Sequence, residues 1–265
     1  MNQHSIPAII IFDIDGVVRD VSGSYRRALA DTVEHFTAQG YRPTADDIDL
    51  LKSEGVWNND WEGSQELIYR YFETLEQSRE QINIDYESIV AFFQSRYRGA
   101  DPNNLTGYIR DEPLLLQPSY LNQLTEAGIR WGFFSGATRA SATYVLQQRL
   151  GLQSPVLIAM EDAPGKPDPT GLFSTLELLE HDIDNGNNFP AVIYVGDTVA
   201  DMYTVEKARS NKPNRTWIGV GVLPPHVQKT SQKRDDYAES LKKAGARIVL
   251  SNVQELTPEK IQESI

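Results

Sequence analysis

Six short apolar runs do most to limit what this 265-residue chain can fold into. They are PAIIIFD (7–13), IRWGFFS (129–135), PVLIAM (155–160), AVIYVGD (191–197) and RTWIGVGV (215–222), with ARIVLS (246–251) as a candidate sixth. Each is apolar throughout rather than alternating with polar residues, the pattern of a strand buried on both faces. Amphipathic stretches separate most of them: QPSYLNQLTEAG with a Ser in capping position and a Gly stop, RASATYVLQQRLG, DPTGLFSTLELLEHD and ADMYTVEKARS. Strand, helix, strand at this spacing requires right-handed crossovers. The predicted class is therefore α/β, built on an open parallel sheet.

One interval breaks the rhythm. Between about residues 21 and 111 only helical patterns occur, among them TADDIDLLKSEG, SQELIYRYFETLEQS and DYESIVAFFQSRYRG, with apolar residues every three or four positions. The predicted organisation is one α/β domain (1–20 and 112–265) interrupted by an all-helical insert (21–111). The stretch LPPHVQKTSQKRDDYAES (223–240) reads as a long mobile loop.

Composition removes several function classes. A net charge of −12 leaves no overall cationic surface for nucleic acid or for a membrane, and any anionic substrate must be drawn in by local cations. The absence of cysteine removes disulfides, thiolate catalysis and zinc–thiolate sites together. The four histidines, His4, His35, His181 and His226, stand far apart in sequence. No basic leader precedes the first apolar run and no run is long enough to span a bilayer, so a cytoplasmic protein is expected.

In an open parallel sheet, ligands bind beyond the carboxyl ends of the strands. The residues there are Asp13 and Asp15 after the first strand, Ser135 and Gly136 after the second, Lys166 past the third, and Asp197 and Asp201 after the fourth. Such a set suits phosphoryl transfer. A carboxylate attacks phosphorus only when the repulsion between two anions is cancelled, and Mg²⁺ with oxygen ligands would cancel it. Lys166 and Ser135 would hold the equatorial oxygens. A second acid two residues from the nucleophile lies on the same side of an extended chain, where it would protonate the leaving oxygen and then activate water. Gly16 would let the backbone turn toward the phosphate.

The segments DIDGVVRD, FFSG, GKPDP and GDTVADM, in that order, resemble the four motifs of the haloacid dehalogenase superfamily, phosphatase branch. The helical insert resembles the cap of one of its subclasses, and the likeness covers nearly the whole chain. It implies a Rossmann-like core with a helical cap domain. Asp13 would be the nucleophile and Asp15 the general acid and base. Ser135 and Gly136 would bind phosphate, and Lys166 would bind phosphate and steady the nucleophile. Mg²⁺ would be held by Asp13, the main-chain carbonyl of Asp15 and Asp197, with Asp201 placing it directly or through water. Serine stands where threonine is common, and GVVRD replaces the more frequent glycine-threonine-leucine run.

Plainer roles exist for each residue. Asp13 and Asp15 would cap a turn, Asp197 and Asp201 sit at helix-start spacing, and Lys166 lies in a Pro-rich loop. A turn accounts for one acid, not for matched polar ends on three further strands. In the insert, Trp57, Asn58, Asn59, Asp60 and Trp61 form a Gly-flanked polar turn with two indoles, a candidate for reading the substrate. The expected substrate is a small phosphorylated metabolite. The alternatives are a phosphomutase using the same aspartyl phosphate, and a binding protein with a vestigial site.

Overall fold

The structure is a computed structural model that describes residues 8–57, 59–101, 105–181 and 189–265. The chain divides into two compact units, one of Met1–Asp20 with Leu114–Ile265 and one of Val21–Pro113.

The first unit holds a six-stranded all-parallel sheet of β1 (Ala8–Phe12), β2 (Arg130–Phe134), β3 (Leu157–Ile158), β4 (Ala191–Gly196), β5 (Trp217–Val222) and β6 (Ala246–Leu250). Their order is β3-β2-β1-β4-β5-β6, so the sequence runs outward from β1 in both directions. Strand periodicity explains the uninterrupted apolar runs. Ile10 and Phe12 enter one core with Phe133, Ile193 and Val220, while Ile9 and Ile11 enter the other with Val192, Leu172 and Val205. Each such side chain fully removed from water contributes about 1.5–3 kcal/mol. The first core is closed by the helix Pro118–Glu126 and by Val145, Leu146 and Ile261; the second is closed by the helices Thr170–Glu180 and Val199–Asn211.

Two details depart from the sequence expectations. The helix after residue 117 starts at Pro118, whose fixed φ suits a first helical position, so Ser119 is inside it rather than capping it. The third run pairs over Leu157–Ile158 alone, because it is an edge strand and Ala159 N–H turns away to donate to Asp162 Oδ2 at 2.7 Å.

A third expectation is overturned. Residues 223–240 are not a long mobile loop but a 3₁₀ turn at Pro225–Lys229 and most of a helix, Ser231–Lys243. Thr230 caps that helix by accepting from Lys233 N–H, Gln232 pairs with Asp236 and Lys243 with Glu239 along its outer face, and Leu241 is buried. The apolar stripe is too narrow to register as amphipathic in so polar a stretch.

In chain order the helices are α1 (Tyr25–Phe36), α2 (Ala45–Ser53), α3 (Asp60–Thr74), α4 (Tyr86–Tyr97), α5 (Pro118–Glu126), α6 (Arg139–Thr143), α7 (Thr170–Glu180), α8 (Val199–Asn211), α9 (Ser231–Lys243) and α10 (Pro258–Ser264). The second unit contains α1–α4 and no described strand. There α1 packs on α3 and α4, with Tyr25 stacked on Tyr97 at 4.1 Å between ring centroids. Among the described residues, no helix is long and apolar enough to cross a membrane.

Candidate active site

Register brings the strand ends together. Phe12 pairs with Phe133 on one side and Val195 on the other, so the residues that follow these strands emerge at one edge of the sheet. Asp13 is one step past β1, Ser135 one step past β2, and Asp197 one step past β4. Lys166 comes from the loop after β3 and Asp201 from the first turn of α8.

These groups converge. Lys166 Nζ lies 2.8 Å from Asp13 Oδ2 and 2.7 Å from Asp201 Oδ1. Asp13, Asp197 and Asp201 each offer an oxygen within 4.8 Å of the other two. Asp13 and Asp201 are buried and Asp197 is half-buried. Asp13 Oδ1 accepts from Ile14 N–H at 2.7 Å, which fixes the carboxylate and leaves Oδ2 toward Lys166. Two glycines make the approach possible. Gly16 has φ +76°, and a Cβ there would stand 2.0 Å from Asp197 Oδ2; a Cβ on Gly196 would stand 2.3 Å from Asp201 Cβ.

Asp201 also does the plainer work foreseen for it. Its Oδ2 accepts from Thr198 N–H at 2.9 Å and Thr198 Oγ1 at 2.7 Å, completing a capping box for α8. Its Oδ1 remains toward Lys166 and the Tyr194 hydroxyl, 3.1 Å away. Capping and membership of the cluster are thus compatible, one oxygen serving each.

Two of the three clustered carboxylates, Asp13 and Asp201, contact the Lys166 ammonium, and the balance shows in the proton affinities of all three. Burial, with Asp201 and Asp15 adding repulsion, pushes Asp13 up to about 7 despite Lys166. Burial, followed by the charges of Asp201 and Asp13, holds Asp197 well above the usual carboxylate range. For Asp201, burial acts upward but is overcome by Lys166 and the Thr198 hydrogen bonds, so it stays below its ordinary value. Burial acts to lower Lys166, yet Asp13 and Asp201 carry it above the ordinary lysine value. Three carboxylates with oxygens within 4.8 Å of one another, set against one ammonium, are hard oxygen donors with excess negative charge, the donor chemistry that suits a divalent cation.

The remaining sequence-predicted residues are placed as follows. Asp15 is half-buried at the turn after β1, its Oδ1 2.6 Å from Arg19 Nε. Ser135 is buried, its Oγ accepting from Ala137 N–H at 3.1 Å, and Gly136 is exposed with open space about its Cα. Trp57, Asn59, Asp60 and Trp61 belong to the helical unit: Trp57 Nε1 donates to Glu54, Asp60 pairs with Lys52 at 2.6 Å, and Asn59 caps α3. Asn58 lies outside the described residues.

Several contributors carry no motif of their own. Tyr194 sits in an apolar strand run and reads as core, yet its hydroxyl reaches Asp201. Tyr237, on α9, donates to the Asp197 carbonyl at 3.0 Å. Arg19 was legible only as a departure from a familiar motif, and it is fully buried behind Asp15.

Residues 7–209 match the model of a protein family described as haloacid dehalogenase-like hydrolase. A protein of Phytophthora nicotianae named imidazoleglycerol-phosphate dehydratase is 30% identical over 248 residues, which is 91% of this chain and 50% of that one; the chain spans about half the length of this curated relative. Among solved structures, phosphatase Tt82 from Thermococcus thioreducens aligns with a TM-score of 0.59 at 22% identity, over 76% of this chain and 88% of its own. A hydrolase from Deinococcus radiodurans, solved with bound phosphate and sodium, aligns with a TM-score of 0.59 at 15% identity, over 95% and 93%. At these identities the two structures establish a shared fold.

Proposed function

The chain belongs to the haloacid dehalogenase-like hydrolases, and on that basis we propose that it is a Mg²⁺-dependent phosphatase acting on a small phosphate monoester through an aspartyl phosphate. What carries the reading is the contact of Lys166 with both Asp13 and Asp201 beside a third carboxylate, Asp197.

Asp13 Oδ2 attacks phosphorus and the bond to the ester oxygen breaks, while Asp15 gives its proton to the leaving alcohol. Asp15, now a carboxylate, takes a proton from water; that water's oxygen bonds to phosphorus and the bond to Asp13 breaks, freeing phosphate. Lys166 neutralises charge on the transferring group and keeps Asp13 oriented. Ser135 and the backbone at Gly136 bind its other oxygens. Asp13, the Asp15 carbonyl, Asp197 and Asp201 would hold Mg²⁺, which when bound offsets the repulsion between the attacking carboxylate and the phosphate dianion.

The helical unit, residues 21–111 in this reading, is a cap that selects the substrate, with Trp57, Asn58, Asn59, Asp60 and Trp61 as its reading surface. The name of the Phytophthora relative adds imidazoleglycerol phosphate, itself a small phosphate monoester, to the candidates. A small metabolite and a cysteine-free chain fit a cytoplasmic setting.

The test is phosphate release from a broad panel of monoesters, imidazoleglycerol phosphate included, with Mg²⁺ and with chelator. Release should require the metal and fall by at least ~10³-fold in Asp13→Asn. In Trp57→Ala and Trp61→Ala the order of substrates should change while metal dependence does not. A folded protein that converts an ester without releasing phosphate would mark a mutase, and no conversion of any ester a vestigial site.

A further inference from the structure

Arg19 is the largest side chain in the molecule with no solvent exposure among the described residues. It follows the turn that carries Asp15, and its Nε lies 2.6 Å from Asp15 Oδ1. Its Nη2 donates to Ser141 Oγ at 3.2 Å, and Ser141 is a buried residue of α6.

The turn does not need this side chain. Gly16 N–H donates to the Arg19 carbonyl at 2.9 Å, and Val18 N–H donates to the Ile14 carbonyl at 2.7 Å. Leu115 N–H then donates to the Val18 carbonyl at 2.8 Å, so main chain alone closes the turn and ties it to the segment that leads into α5. Burying a guanidinium is unfavourable unless it is well paired, and an apolar residue of similar length would fill the same space without that penalty. The charge stands against the Asp15 carboxylate.

The contact to Asp15 is a single Nε–H bond, and its direction is set by a planar guanidinium that is itself held at Nη2 by Ser141. Oδ1 of Asp15 is taken by Arg19, whereas no described hydrogen bond engages Oδ2. The Asp15 side chain is 27% exposed, so solvent reaches part of it although Arg19 is fully buried.

We propose that Arg19 is a positioning residue. By holding Oδ1 it orients Asp15 so that Oδ2 is the oxygen that meets the leaving group, and Ser141 on α6 locks the guanidinium in that pose. This rests on the phosphatase reading above, in which Asp15 protonates the leaving alcohol.

The leaving group separates positioning from general support of the fold. An alkyl phosphate needs a proton delivered as its P–O bond breaks; p-nitrophenyl phosphate, whose leaving group is already a stable anion, needs it little. Because kcat/KM covers only the steps through departure of the alcohol, the shared second step does not blur the comparison. In the full-length chain with Mg²⁺, Arg19→Met should lower kcat/KM for the alkyl ester by about 10²-fold, the scale of a lost general acid, and for p-nitrophenyl phosphate by far less. Arg19→Lys, which keeps the charge without the planar fork, should recover part of the alkyl activity.

Ser141→Ala removes one hydroxyl and provides the same comparison should Arg19→Met fail to fold; its alkyl-selective loss should be about 10-fold, the low end for one hydrogen bond to a charged group and smaller than the loss in Arg19→Met. Equal losses on both esters, or no loss on either, would overturn the positioning role while leaving the phosphatase intact. The alkyl ester is one the wild-type protein hydrolyses, and a wild-type protein inactive on every ester of the panel would overturn the phosphatase reading, and this inference with it.

Discussion

The opposition at the centre of the site is between a carboxylate's need for water and a sheet's need to bury its strands. Asp13 is 6% exposed directly after five residues of a fully buried strand. Its proton is held up to about pH 7 in the folded chain, against an ordinary value of 3.8. The sign follows from linkage. Between those values the folded state binds more protons than the unfolded one, so this contribution is fully present below pH 3.8 and is lost as pH rises through about 7. With chelator present, the melting midpoint should therefore fall between pH 5 and pH 8, by about 2–4 °C for each kcal/mol lost in a chain of this size. Saturating Mg²⁺ should flatten the decline, because the cation binds the folded carboxylates in place of protons. Thermal melts in buffers of matched ionic strength check both. A midpoint that rises over the same pH range in chelator would contradict the burial of Asp13.

At the scale of the element, what sequence made legible was whatever repeats with a period. Runs such as AVIYVG were visible as strands because both of their faces are buried, and the positions after them followed from parallel topology. Contacts made across the fold left no such trace: Tyr194 looks like any core aromatic, and Tyr237 lies in a stretch whose polarity hid a helix. Helix α9 nevertheless reaches the site, since the Tyr237 hydroxyl donates to the carbonyl of Asp197 at 3.0 Å. Tyr237→Phe removes that bond while keeping the ring. It should cost about 1 kcal/mol of stability and loosen the main chain that carries Asp197. The Mg²⁺ concentration giving half-maximal activity should rise about 3–10-fold with little change in kcat at saturation, as a metal titration of the rate would measure. An unchanged half-saturation point would reduce α9 to a structural support.

The molecule as a whole sets two local designs against one global field. Its net charge is −12, and the reaction proposed for it brings together a cation and a dianion. Long-range attraction favours the first partner and long-range repulsion opposes the second, both fading as salt shortens the Debye length from about 30 Å at 0.01 M to about 8 Å at 0.15 M. The two should therefore respond to ionic strength in opposite directions. Raising monovalent salt across that range should weaken apparent Mg²⁺ affinity while raising kcat/KM for a dianionic ester at saturating Mg²⁺. A neutral salt series with a fixed free-metal concentration checks this, and a charge-neutral co-solvent at matched viscosity controls for diffusion. If kcat/KM falls with salt instead, approach of the ester is governed by cations close to the site rather than by the acidic surface. That would imply that the region around Lys166 presents a locally positive face, even though Lys166 itself is 11% exposed and already paired with Asp13 and Asp201.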